Sequence, residues 1–239
     1  MMSYIRIRDS FWLGFIITMS IVAAGCGGNE STIGSDPKTP ASKPPPISDK
    51  PKIIAYGDSL TSGFGLDSWE KSYPALLQKR LDAAGFDFQV LNYGFPGDTS
   101  ERGLARLYLA TGIVNDKIFV VELGANDIMK GVPADEIRRN LSEMIKRLKD
   151  KGIEVILCGF KAPETAGTDY QVQIDSMYRD LASTFELTFI PDFMEGVSGN
   201  ADLMQPDGIH PNESGVRIIE ERVSAALVPL LEKYVPKKN

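Results

Sequence analysis

Histidine is almost absent: one residue, His210, in 239. Any imidazole chemistry near neutral pH therefore falls on that single ring. Cysteine is nearly as scarce, with Cys26 and Cys158 alone, which excludes a disulfide-stapled scaffold. Positive charge is not in excess. Twenty-six Lys and Arg face 32 Asp and Glu, for a net charge of −6, which argues against a nucleic-acid binder with its basic stripe. Long apolar runs are also missing. The one candidate, "FWLGFIITMSIVAAG" at 11–25, falls short of the ~20 residues a comfortable membrane span requires.

What is present at the amino terminus is a targeting pattern. Arg6 and Arg8 form a basic region, the apolar run follows, and it ends at "AAGC". This resembles the lipobox of bacterial lipoproteins and implies lipid attachment at Cys26, although Ala23 stands where Leu, Val or Ile is usual. Gly27, rather than an aspartate, follows the cysteine. By resemblance to enterobacterial lipoproteins, the expected location is the periplasm-facing cell envelope, lipid-anchored, at the outer membrane. With Cys26 acylated, Cys158 in "VILCGF" has no partner and reads as a small buried hydrophobe. The expected organisation is a signal peptide over 1–25, a Pro/Ser/Gly-rich disordered tether over 26–51, and a folded domain over 52–239. The tether has too few large apolar side chains to fold.

From Lys52 the texture changes. Apolar, β-rich runs at 52–56, 88–93, 117–123, 153–160 and 187–190 alternate with helical patterns. Ile137, Leu141, Met144, Ile145 and Leu148 make one helical stripe, and Val216, Ile219, Val223, Leu227 and Leu230 another. Near-continuous apolar strands separated by helices predict a parallel sheet covered on both faces, an α/β fold. In such sheets ligands bind outside the carboxyl ends of the strands. The loops after the five runs are therefore the ones to search.

Each of those loops has a bland explanation. Ser59 in "YGDSLTSGFG" sits at a strand-to-helix turn and could be an N-cap, but it is also where a nucleophilic hydroxyl would be exposed. Gly97 in "NYGFPGDTS" is a turn glycine or a backbone N–H aimed at a ligand. Asn126 in "ELGANDIMKG" is a cap or a neutral donor for oxyanion charge. In "PDGIHPN", Asp207 lies three residues before His210, within reach of the ring Nδ1–H. Together the four fall on one edge of one sheet and supply nucleophile, donors, orienter and base. Asp58, Asp98 and Asp127 adjoin these residues and are read as braces.

The four blocks resemble the GDSL, or SGNH, hydrolase family, over residues 52 to about 230. "GDTSERGLARL", "GANDIMKGVPADEIRRNL" and "FMEGVSG…DGIHPN" are similar to its bacterial periplasmic thioesterase/lysophospholipase/arylesterase branch. The resemblance implies a flavodoxin-like three-layer α/β/α fold with a five-stranded parallel sheet, order 2-1-3-4-5, and no metal or organic cofactor. It implies a catalytic Ser59–His210–Asp207 triad and an oxyanion hole from the Ser59 and Gly97 N–H groups and the Asn126 amide. The implied activity is hydrolysis of acyl esters or thioesters, with a small acyl ester or lipid as substrate. Carbohydrate or cell-wall O-deacetylation is the alternative, and a silent lipid-anchored binding module a third reading. Phe160, Pro163, Phe193, Met194 and Val197 either line an acyl pocket or belong to the packing.

Overall fold

The computed structural model describes residues 46–113 and 115–234. The signal peptide, Cys26 and the tether up to residue 45 lie outside the described residues. The sheet is parallel, with β1 (Lys52–Gly57), β2 (Gln89–Gly94), β3 (Asp116–Glu122), β4 (Glu154–Cys158) and β5 (Thr188–Ile190) in the order β2-β1-β3-β4-β5. All six residues of β1 are buried, as are Ile118–Glu122 of β3, because helices cover both faces. Those helices are α1 (Ser59–Ser62), α2 (Tyr73–Ala83), α3 (Ser100–Ala110), α4 (Ala125–Met129), α5 (Ala134–Asp150), α6 (Thr168–Thr184) and α7 (Glu213–Leu231). α2 packs on α7, while α5 packs on both α3 and α6.

The α5 stripe is fully buried at Ile137, Leu141, Met144, Ile145 and Leu148. Each such side chain contributes roughly 1.5–3 kcal/mol by leaving water. α7 runs two residues beyond Pro229 before it ends.

Register sets up the site. Gly57 pairs with Gly94 and with Glu122, Glu122 with Cys158, and Cys158 with Ile190. The five strands therefore finish level, and the loops that follow them open on one edge. At the opposite edge, residues 46–51 lie against the body. Gln89 accepts from Ser48 N and Oγ at 2.8 and 3.0 Å and donates to Pro46 O at 2.8 Å. The buried Lys52 ammonium donates to the carbonyls of Ser48 (2.5 Å) and Lys50. The last residues of the segment read as a tether are thus bonded to the domain.

Candidate active site

β1 ends at Gly57, and the chain turns at once into α1. A side chain at 57 is impossible: its Cβ would lie 2.2 Å from Thr61 Oγ1 and 2.3 Å from Glu122 Oε2. Asp58 caps α1, accepting from Leu60 N at 2.9 Å. Ser59 is the first residue of that helix, so its own N–H has no intrahelical acceptor.

His210 comes from the far end of the chain. Its Nε2 lies 2.9 Å from Ser59 Oγ, and its Nδ1 lies 2.6 Å from Asp207 Oδ2. Asp207 Oδ1 accepts from the backbone N–H groups of Ile209 and His210, at 2.9 and 3.0 Å. These bonds, the ring's first, hold the Asp207 carboxyl down at about 2. It is ionised throughout the neutral range. A hydroxyl, an imidazole and a carboxylate in this order can pass a proton from Oγ to Nε2 while the carboxylate stabilises the charged ring.

The structure brings the two remaining block residues to the same place. Gly97 follows β2 with a φ of +80°; in its loop it is Asp98, not Gly97, whose N–H donates to Phe95 O, at 3.1 Å. Asn126, the second residue of α4, donates its amide to Asp58 Oδ2 at 2.7 Å and to Asp98 O at 3.0 Å. Both Asn126 amide protons therefore have acceptors, one in the Ser59 turn and one in the Gly97 loop.

The neighbouring carboxylates brace, as the sequence reading expected. Asp98 pairs with Arg106, whose guanidinium also donates to Gly57 O at 2.9 Å and lies between the Tyr56 and Phe95 rings. This ties the Gly97 loop to the Ser59 turn. Asp127 accepts from Ser100 N and Oγ at 2.8 and 2.7 Å. Asp58 is buried, which pushes its carboxyl up to about 6. Behind it stands Glu122, fully buried at the end of β3 and bonded to Thr61 Oγ1 at 2.6 Å. Burial, with Asp58 adding to it, drives the Glu122 carboxyl well above the usual range. The sequence reading missed Glu122, because it closes a run that otherwise reads as an ordinary strand.

A cavity of about 300 Å³ opens over Ser59 and His210. Its apolar wall is Leu60, Phe64, Pro96, Ala125, Met129, Met194 and Ile209. Of the five side chains considered for an acyl pocket, Met194 alone lines it. Phe193 and Val197 are fully buried and Phe160 nearly so, with Phe160 and Phe193 packed ring to ring at 5.9 Å, while Pro163 sits on an exposed loop. Apart from Met194, the wall residues are near neighbours in sequence of Ser59, Gly97, Asn126 and His210. That proximity was the available signal. Among the described residues no group of His, Cys, Asp and Glu side chains is placed to hold a metal.

A level-edged parallel sheet carrying serine, imidazole and carboxylate in hydrogen-bonded order at its carboxyl ends is the arrangement of an α/β hydrolytic enzyme. The chain belongs to the GDSL-like Lipase/Acylhydrolase family, whose model matches residues 55–218. It is 36% identical over 179 residues to "Esterase TesA" of Pseudomonas aeruginosa, covering 75% of this chain and 89% of that protein. It is 31% identical over 179 residues to "Thioesterase 1/protease 1/lysophospholipase L1" of Escherichia coli, covering 75% and 84%. The solved crystal structure of TesA superposes with a TM-score of 0.72 at 35% identity, covering 75% of this chain and 99% of that one. The protein is an enzyme, an esterase.

Proposed function

We propose that the protein is a serine esterase acting on carboxylic esters or thioesters of apolar acyl groups. The observation that carries this reading is the relay Ser59 Oγ–His210 Nε2–Asp207, at 2.9 and 2.6 Å, beneath an apolar cavity. Ser59 Oγ attacks the carbonyl carbon while Nε2 takes the hydroxyl proton. The developing oxyanion is met by the N–H groups of Ser59 and Gly97 and by the Asn126 amide. The imidazolium, steadied by ionised Asp207, then gives its proton to the departing alcohol or thiol, leaving an acyl-serine. Water enters, His210 deprotonates it, and a second tetrahedral intermediate collapses to the carboxylic acid and free Ser59.

The apolar wall favours a hydrocarbon acyl chain over a sugar. The name of one relative, thioesterase/lysophospholipase, supports the same choice. An O-deacetylase would be served by polar groups, and the wall offers few. The test is a panel of p-nitrophenyl esters from acetate upward, with lysophospholipid, acyl-CoA and acetylated xylan. Rates should rise with chain length up to the capacity of the cavity. Highest activity on acetylated xylan would overturn the acyl-chain reading.

The same reading includes an anchor. The "AAGC" pattern supports lipid attachment at Cys26 and a position at the cell envelope. Cys26→Ser should move the full-length protein from the detergent-extracted membrane fraction to the soluble one. If the variant stays with the membrane, Cys26 is not the anchor.

A further inference from the structure

We infer that Gln205 is a positioning residue for His210, a latch that fixes the imidazole over Ser59 by binding the two loops that hold it. The inference rests on the serine-esterase reading above. His210 lies in a loop closed at its base by an antiparallel bridge between Met204 and Pro211. Gln205 N donates to His210 O at 2.8 Å, and Gly208 N donates to Gln205 O at 3.0 Å. The backbone of Gln205 thus already belongs to the histidine's turn.

Its side chain reaches outward as well. The single carboxamide NH₂ has two protons, and each has an acceptor: Pro211 O at 3.0 Å, in the histidine loop, and Phe64 O at 2.9 Å, in the loop that follows α1. Phe64 is no bystander. Its ring lies 4.9 Å from the imidazole at a 45° tilt, and its N–H donates to Ser59 O at 3.1 Å. Four links therefore form a closed circuit: Ser59 to Phe64, Phe64 to Gln205, Gln205 to His210, and His210 back to Ser59. Three are held whatever stage the reaction has reached. The fourth, Nε2 to Oγ, must break when the proton moves on to the leaving group. At that moment the ring depends on Asp207 at one nitrogen and on Phe64 against its face, and Gln205 keeps Phe64 there.

The neighbouring sequence accommodates this contact. A Cβ at position 65 would lie 2.1 Å from Gln205 Oε1, and Gly65 has a φ of +78°. The chain thus has a glycine at the position the amide passes. Asn126 and Asp207 act on the oxyanion and on the ring nitrogen. Gln205 acts on neither; it sets where the ring stands.

The test compares wild type, Gln205→Met, Gln205→Asn, Phe64→Leu and the Gln205→Met/Phe64→Leu double variant. Methionine keeps the length and loses both donors; asparagine keeps the amide but is too short to span both carbonyls. Each is assayed on p-nitrophenyl acetate, whose acyl group is too small to probe the cavity wall, and for the rate of Ser59 phosphonylation by an alkyl phosphonate. Gln205→Met should lower kcat and the phosphonylation rate by ~10–100-fold, the scale of a misplaced catalytic group. KM should stay within about twofold, since ground-state binding is untouched. Gln205→Asn should fall between it and wild type, and the double variant should be no worse than the poorer single one. A purely structural glutamine would lower the melting temperature and leave kcat alone. Wild-type kcat in well-folded Gln205→Met, or in Gln205→Asn should the methionine variant not fold, overturns the latch, as do multiplicative effects in the double variant. If wild type is not phosphonylated at Ser59, the serine reading fails and the latch fails with it.

Discussion

Asp58 and Asp207 flank the same serine, one beside it in the chain and the other through His210, and they are kept in opposite conditions. Asp207 stands at the rim, 40% exposed, with three hydrogen-bond donors around its carboxylate, and its pKa is held down at about 2. Asp58 is sealed beneath the turn at 1% exposure, and burial raises it to about 6 despite bonds from Leu60 and Asn126. One side of Ser59 therefore presents a charge that water and amides stabilise. The other stores a carboxyl pair, Asp58 and Glu122, in which the charged form is penalised. A carboxylate that must answer a charging imidazole has to be ionised at no cost. A carboxyl that must shape a turn can tolerate being half protonated.

The largest effects should come from the rim side. Ser59→Ala and His210→Ala should each reduce kcat by ~10³-fold or more, and their double variant should be little worse, because the base has no task without the nucleophile. Asp207→Asn should cost less than either, yet more than Asp58→Asn. Steady-state rates on an aryl ester check the order, with circular dichroism confirming the fold. A greater loss from Asp58→Asn than from Asp207→Asn would reverse the contrast between the two carboxyls.

Asn126→Ala comes next, at roughly 10²–10³-fold in kcat. It also removes a bond to each of Asp58 and Asp98. Phosphonylation of Ser59 should continue, more slowly. A variant with undiminished kcat would leave the oxyanion to the two backbone N–H groups alone.

On the buried side the sharper readout is stability against pH. Asp58 has a folded pKa near 6 against 3.8 for the free group, so between about pH 4 and 6 the native state holds protons that the unfolded state has lost. Stability from this source is present at the acid end and falls as pH rises through the window. Asp58→Asn should flatten that slope. Asp116, raised to about 6 by its own burial, contributes equally to both proteins and drops out of the difference. Asp207 has the opposite sign: its contribution is full above about pH 4 and is lost toward pH 2. Melting temperatures from pH 4 to 7 decide the matter, and parallel curves for wild type and Asp58→Asn would refute the buried-carboxyl account.

The smallest effect expected is at the amino edge. Deleting residues 1–45 should leave the melting temperature unchanged. Deleting 1–50 should lower it, because Lys52 would lose the Ser48 and Lys50 carbonyls and remain a buried ammonium short of acceptors. The cost is about 1–3 kcal/mol. Equal melting temperatures for the two truncations would show that these bonds contribute nothing.

The five strands were readable because a parallel sheet buried on both faces writes itself as unbroken apolar runs, and each run matched its strand to within a residue or two. Ser59, Gly97, Asn126, Asp207 and His210 were picked out because they lie in the loops at the carboxyl edge of such a sheet and match four family blocks, and the structure brings Ser59, Asp207 and His210 into hydrogen-bonding contact. The cavity wall was not. Phe160, Phe193 and Val197 are as apolar as Phe64, Met129 and Ile209, and nothing in residue type separates a side chain facing the core from one facing a cavity. Residues 46–51 misled for another reason. Their composition offers no core, and what holds them is their own backbone, bonded by Gln89, Lys52 and Asn115 of the body.

The strands finish level at one edge, and residues 46–51 are fastened at the other. β1 has six residues, so about 20 Å of sheet separates the two. That spacing gives the domain a natural orientation for immobilisation. A bead, a fusion partner or a lipid grafted upstream of residue 46 meets the body at the pole opposite Ser59, which leaves the catalytic mouth facing the medium. A support coupled through an engineered cysteine near Met129 or Ile209, both exposed at the mouth, would do the reverse and shield it.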